Sequence, residues 1–89
     1  MIINLYGIKD RFSGFMSPMM YVNDDVAKRE FAFSLTQPGI VNFAPGDFDL
    51  YRIGEIDNHS GKISQDGPFE FICNGSEVMK IENRDSESK

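Results

Sequence analysis

The segment over residues 47–57, DFDLYRIGEID, constrains the fold most, because the turn-forming residues NHSG follow it directly at 58–61. Its apolar side chains alternate, with Phe48, Leu50 and Ile56 on one parity and Tyr51 and Ile53 on the other. This pattern is typical of a strand that buries one face and part of the second. Asn and Gly tolerate a tight reversal, and residues 62–64 resume an extended pattern. The sequence therefore predicts a β-hairpin here.

The rest of the chain predicts an α+β fold, a small antiparallel or mixed sheet of four to five strands with one helix packed on one face. Further strands are expected at residues 2–9, 19–22 and 69–73. A helix should begin at Asn23 or Asp24, because either side chain can cap it, and should end by Pro38 and Gly39. We also expect a loop over residues 10–18 and a helical turn within 76–81. The segment from Pro38 and Gly39 to Asp47 should be an irregular crossover in which Ile40, Val41 and Phe43 pack down.

The helix should bury an apolar arc against the sheet. Helical spacing places Val26, Ala27, Phe31, Phe33 and Leu35 on that arc and Ala32 opposite it. The predicted shared core comprises Phe31, Leu35, Phe48, Leu50, Ile53 and Phe71.

The chain length of 89 residues predicts one domain, over residues 1–82. Residues 83–89 contain no apolar side chain and are predicted to be a disordered tail. A domain this small buries only ~60% of its unfolded surface, so its stability should be marginal unless subunits associate. We therefore expect that the protein can form a homodimer.

Composition excludes several classes of function. The single cysteine, Cys73, rules out an internal disulfide and a cysteine-based metal site, and it is expected to be a buried apolar residue. The net charge of −5 argues against a general electrostatic grip on nucleic acid. No apolar run is long enough to cross a membrane, and the start of the chain lacks the basic region of an export signal. We expect a soluble intracellular protein without membrane partners.

No group of residues predicts an enzyme, a cofactor or a metal centre. His59 is the only histidine and lies in the predicted turn, without a converging set of catalytic partners. The acids of the central hairpin lack the spacing of a calcium loop, so we interpret them as solvated strand positions. The chain is accordingly predicted to be non-enzymatic and to act by binding.

The loop before the helix is the first candidate binding site. It carries five large apolar side chains, Phe12, Phe15, Met16, Met19 and Met20, between serine, glycine and proline residues. A core this small cannot easily accommodate all five. The loop therefore either folds back as a lid or presents an adaptable apolar surface to a protein partner.

The second candidate site is a surface for single-stranded DNA. Aromatic and basic residues lie near one another in two places, Tyr6 with Lys9 and Arg11, and Tyr51 with Arg52. Bases stack on aromatic rings while cations contact phosphates, so such a set is suited to a single strand. The alternative interpretation is that both tyrosines lie at the rim of the core.

Three segments resemble the small nonstructural protein of gokushovirus-type microviruses, which are single-stranded-DNA phages. The central one combines DFDLY at 47–51 with Gly54, Asp57 and Gly61. The others are LYGIKDR at 5–11 followed by Pro18, and Asn23 and Asp24 followed by Ala27 and REF at 29–31. They occur in the family's order over roughly residues 3–72, whereas the Met-rich loop and the charged end of the chain depart from the pattern.

This resemblance implies a role in the host bacterial cytoplasm, outside the virion, in viral DNA replication or in the switch to genome packaging. The expected partner is a phage or host replication or assembly protein, with single-stranded DNA as the alternative.

Overall fold

The structure, a computed structural model, describes residues 1–36 and 44–79. The described part contains six antiparallel strands and one long helix, which confirms the predicted α+β class. The strands are β1 (Ile2–Asp10), β2 (Gly14–Phe15), β3 (Met19–Tyr21), β4 (Phe48–Asp57), β5 (Ile63–Ser64) and β6 (Glu70–Asn74). Helix α1 spans Asp24–Ser34, a 3-10 turn spans Pro45–Asp47, and a short helix α2 covers residues 75–79.

Strands β1 and β4 form the centre of the sheet and pair along their whole lengths. Strands β2 and β3 pair with successive parts of β1, and β6 and β5 pair with successive parts of β4. The predicted hairpin is confirmed, since Ile56 pairs with Ile63 across a turn in which Gly61 has a φ of +80°. A glycine suits that left-handed conformation because it has no β-carbon to clash.

Helix α1 starts as predicted, because the Oδ1 atom of Asn23 accepts a hydrogen bond from the Val26 amide at 2.9 Å. Its buried residues are Ala27, Phe31 and Ala32, and Leu35 continues the buried row one turn beyond Phe31. The prediction that Phe33 is buried and Ala32 exposed is wrong, since Phe33 is 61% exposed. At 3.6 residues per turn, Phe33 points about 200° away from Phe31.

The core lies between α1 and one face of the sheet. Its buried members are Tyr6, Ile8, Ala27, Phe31, Ala32, Leu35, Phe48, Leu50, Cys73 and Val78. Four of the six predicted core residues are confirmed: Phe31, Leu35, Phe48 and Leu50.

Phe71 and Ile53 do not belong to this core, for two different reasons. Leu50 and Tyr51 are consecutive, but they pair with Cys73 and Phe71, so β6 carries Ile72 as an extra residue. This β-bulge leaves Cys73 facing the helix and turns Phe71 to the opposite face. Ile53 shares the parity of Tyr51 rather than that of Leu50, so simple alternation along β4 places it on the face opposite α1.

Several other predicted elements can be compared with the structure. The predicted loop over residues 10–18 contains strand β2, and the helical turn predicted for 76–81 is present over 75–79. The helix end at Pro38 and Gly39, the crossover residues 40–43 and the tail at 83–89 lie outside the described residues. The described end of the crossover contains the 3-10 turn Pro45–Asp47. Among the described residues, no helix is long and apolar enough to span a membrane.

Candidate binding face

The sheet face opposite α1 carries a row of aromatic rings that are partly exposed. Phe15 lies 5.6 Å from Tyr51 and 5.6 Å from Phe69, measured between ring centroids, and Tyr51 lies 5.8 Å from Phe71. All three pairs meet edge to face, the arrangement that aromatic rings favour. We call the surface formed by these four rings the aromatic face.

A glycine in β1 allows Phe15 to pack closely against the sheet. A β-carbon at Gly7 would lie 3.0 Å from Cδ1 of Phe15 and 3.5 Å from Cδ1 of Ile53. Any larger residue at position 7 would therefore push the ring outward. Gly7 lies on the face opposite α1 but is nevertheless buried, because the ring of Phe15 covers it.

Two charged groups lie on strand positions of this face. Lys9 and Asp49 are direct partners in the β1–β4 ladder. The Lys9 Nζ atom lies 5.9 Å from the centroid of Phe15, where a cation is attracted by the ring. Asp49 accepts a hydrogen bond from the Asn74 side-chain amide at 2.8 Å. The strand positions of the aromatic face thus carry one positive and one negative charge.

Comparison with known proteins identifies the family. Residues 3–78 match the model of the family described as Phage ORF5 protein. The chain belongs to the Phage ORF5 protein family. The matched residues include all four rings of the aromatic face and Lys9. No curated protein and no solved structure matches the chain.

In this Phage ORF5 family member, the residues of the predicted partner-binding loop lie on different surfaces. Phe15 lies on the aromatic face, and Met20 pairs with Leu5 of β1 and is half-exposed. Phe12 is 76% exposed at the tip of the loop, where the Arg11 guanidinium lies 5.9 Å from its ring. Met16 is partly exposed, and its amide donates to the Ile8 carbonyl. Met19 is partly buried and packs against the core, as expected if the loop folds back.

The residues predicted to bind single-stranded DNA also lie in different places. Tyr6 cannot contact DNA. Tyr6 is completely buried beneath α1, so no base can stack on its ring. Its hydroxyl donates to Oδ1 of Asp24 at 2.5 Å and accepts from the Asn4 amide at 3.0 Å. Burial and the bond to Asp24 raise the pKa of Tyr6 to about 12. Tyr6 is therefore a structural tyrosine that joins the helix to the sheet.

The remaining members of that set lie on different surfaces. Lys9 and Tyr51 lie on the aromatic face, on either side of Phe15. Arg52 pairs with Tyr6 in the sheet and so lies on the opposite side, where its guanidinium binds Glu70 at 2.7 Å. Arg11 lies at the loop tip, 4.0 Å from Asp47.

Sequence reasoning missed Phe69 and Phe71 as surface residues. The available signal was the acidic residue between them, because in the sequence Phe69-Glu70-Phe71 the two rings alternate with a charge. The bulge at Ile72 decides which side the rings occupy, and it leaves no comparable mark in the sequence.

Proposed function

We propose that this Phage ORF5 family member is a non-enzymatic accessory protein that acts by binding another protein. The aromatic face is the observation that carries the proposal. Phe15, Phe69 and Phe71 are 45%, 44% and 51% exposed, and they are contiguous through Tyr51. A monomer rarely leaves a contiguous aromatic surface in water unless the surface binds something.

The composition of the aromatic face favours a protein partner. Protein interfaces are enriched in Phe, Tyr and Met and depleted in charge at their centres. The four rings match that composition, as does Met20, which its pairing with Leu5 places on the same face, and the two charges balance. Covering this surface would recover about 25 cal/mol per Å² of apolar area.

The setting of the proposed binding is a phage-infected bacterium. The three segments that resemble the gokushovirus-type nonstructural protein support a microvirus origin, and the membership of the Phage ORF5 family is consistent with it. The proposed role is in viral DNA replication or in the switch to genome packaging, in the host cytoplasm.

Recovery of the tagged protein from infected cells, with and without nuclease, tests this proposal. We expect other proteins to copurify with the wild type after nuclease treatment and to be lost from Phe71→Ser. Phe33→Ser is the matched control, because it removes a phenylalanine of α1 that is at least as exposed as Phe71 and should keep those proteins. If Phe71→Ser retains every copurifying protein, the aromatic face is not the binding surface.

A weak single-stranded-DNA-binding role is the second candidate, and the position of Lys9 favours it. The cation lies over Phe15 and beside Tyr51, so a strand could stack on the rings while Lys9 contacts a phosphate.

In this second case we expect affinity to fall with salt, and Lys9→Ala to reduce the slope of log affinity against log salt by about 0.7. Phe71→Ser should cost roughly 1–3 kcal/mol of stacking with an unchanged slope. A fluorescence titration with a labelled oligonucleotide measures both. An absence of binding at low salt, where electrostatic attraction is strongest, would eliminate this candidate.

A further inference from the structure

We infer that the aromatic face is the interface of a homodimer, so that a second copy of this chain occupies it. The inference rests on the proposed function in one respect, namely that the aromatic face is a binding surface. It adds that a second copy occupies the face, so that other proteins bind the dimer and are lost when Phe71→Ser dissociates it. In the dimer, the two sheets would pack face to face, with the helix of each copy on the outside.

The apolar area of the face is suited to a protein-sized occupant. A large side chain contributes about 150–250 Å² when it is fully exposed. Phe15, Phe69, Phe71 and Met20 are each about half-exposed, so together they present about 400 Å². A standard interface buries about 800 Å² on each partner, of which a little over half is apolar. The face therefore provides most of the apolar area that a stable dimer requires.

The charges favour a second copy over a nucleic acid. The whole chain has a net charge of −5, which repels phosphate and also repels another copy of itself. The aromatic face is the surface where that repulsion is weakest, because Lys9 and Asp49 balance each other on its strands. A two-fold axis through the face would bring together two balanced surfaces that match each other.

Among the described residues, α1 covers only one face of the sheet. The aromatic face is therefore available to a second copy. Over residues 1–36 and 44–79, α1 packs on the side of Tyr6, Ile8 and Leu50, and the aromatic rings remain partly exposed on the other. Two sheets that pack face to face lie about 10 Å apart, with side chains from both faces filling the space. Dimerisation would turn a domain with one covered sheet face into one with two.

Sedimentation equilibrium of the full chain at about 100 µM tests the inference, since standard-size interfaces have dissociation constants from micromolar downward. We expect a dimer for the wild type and for Phe33→Ser, and a monomer for Phe71→Ser. Because Phe71 is half-exposed, its replacement should leave the fold intact, which circular dichroism verifies.

A second measurement uses the unaltered protein. In a mixture of isotope-labelled and unlabelled copies, filtered NOE spectra should show contacts between the rings of Phe15, Tyr51 or Phe71 of one protomer and the aromatic face of its partner. A wild-type monomer, or a dimer without these contacts, would overturn the inference. If such a monomer still loses its copurifying proteins on Phe71→Ser, the proposed function survives and the occupant of the face is a different protein.

Discussion

Replacement of Phe31 by Ala is expected to lower the free energy of unfolding by about 3–5 kcal/mol. Phe31 is only 1% exposed and lies at the centre of the buried row of α1, between Ala27 and Leu35. Removing its ring would leave a cavity that the surrounding strands cannot close, because β1 and β4 are fixed by their ladder. A domain of this size has about 5–15 kcal/mol of stability in total, so the loss would be severe.

Urea denaturation followed by circular dichroism measures this effect, and Phe33→Ala supplies the control. Both substitutions remove the same ring from the same helix, but Phe33 is largely exposed, so its loss should change stability by only about 0.5 kcal/mol. Equal destabilisation by the two substitutions would show that α1 packs on the sheet through a different side.

Gly75→Ala is expected to be the second most damaging change, at about 2–3 kcal/mol or more. A β-carbon at Gly75 would overlap the carbonyl oxygen of Pro45 and lie 2.9 Å from its carbonyl carbon and 3.1 Å from Cδ1 of Leu35. The first two atoms belong to the backbone, which cannot rotate away as a side chain can. The 3-10 turn would have to move away from α2.

A comparison of the thermal unfolding midpoints of Gly75→Ala and Gly46→Ala tests the contact between Gly75 and Pro45. Gly46 lies in the opposing 3-10 turn, and the nearest atom to its added β-carbon would be the Asn74 side-chain oxygen at 3.8 Å. The Gly46→Ala midpoint should therefore stay close to that of the wild type. An unchanged midpoint for Gly75→Ala would mean that the turn and α2 are farther apart than described here.

The local elements could be read from the sequence because each depends on neighbouring residues. Asn23 caps α1 through its own side chain, and Gly61 supplies the left-handed conformation of the turn. Leu50 and Phe48 alternate on a regular part of β4, so their burial followed from parity alone. In these cases the signal and the structure lie within a few residues of each other.

The aromatic face could not be read in the same way because it depends on register between distant strands. Parity in β6 would place Phe71 and Cys73 on the same side, and only the extra residue at Ile72 separates them. The complete burial of Tyr6 could not be read for a related reason, because it requires a helix that carries Asp24, 18 residues away. Register shifts and pairings of this kind arise from the packing of the whole domain.

The bulge in β6 has a consequence for how this phage protein can evolve. It places Phe71 on the outer face although Cys73, two residues later in the same strand, supports the core. A codon change at position 69 or 71 therefore alters the outer surface while the residues that α1 packs on stay the same. One side of the sheet can accumulate substitutions while the other side preserves the fold.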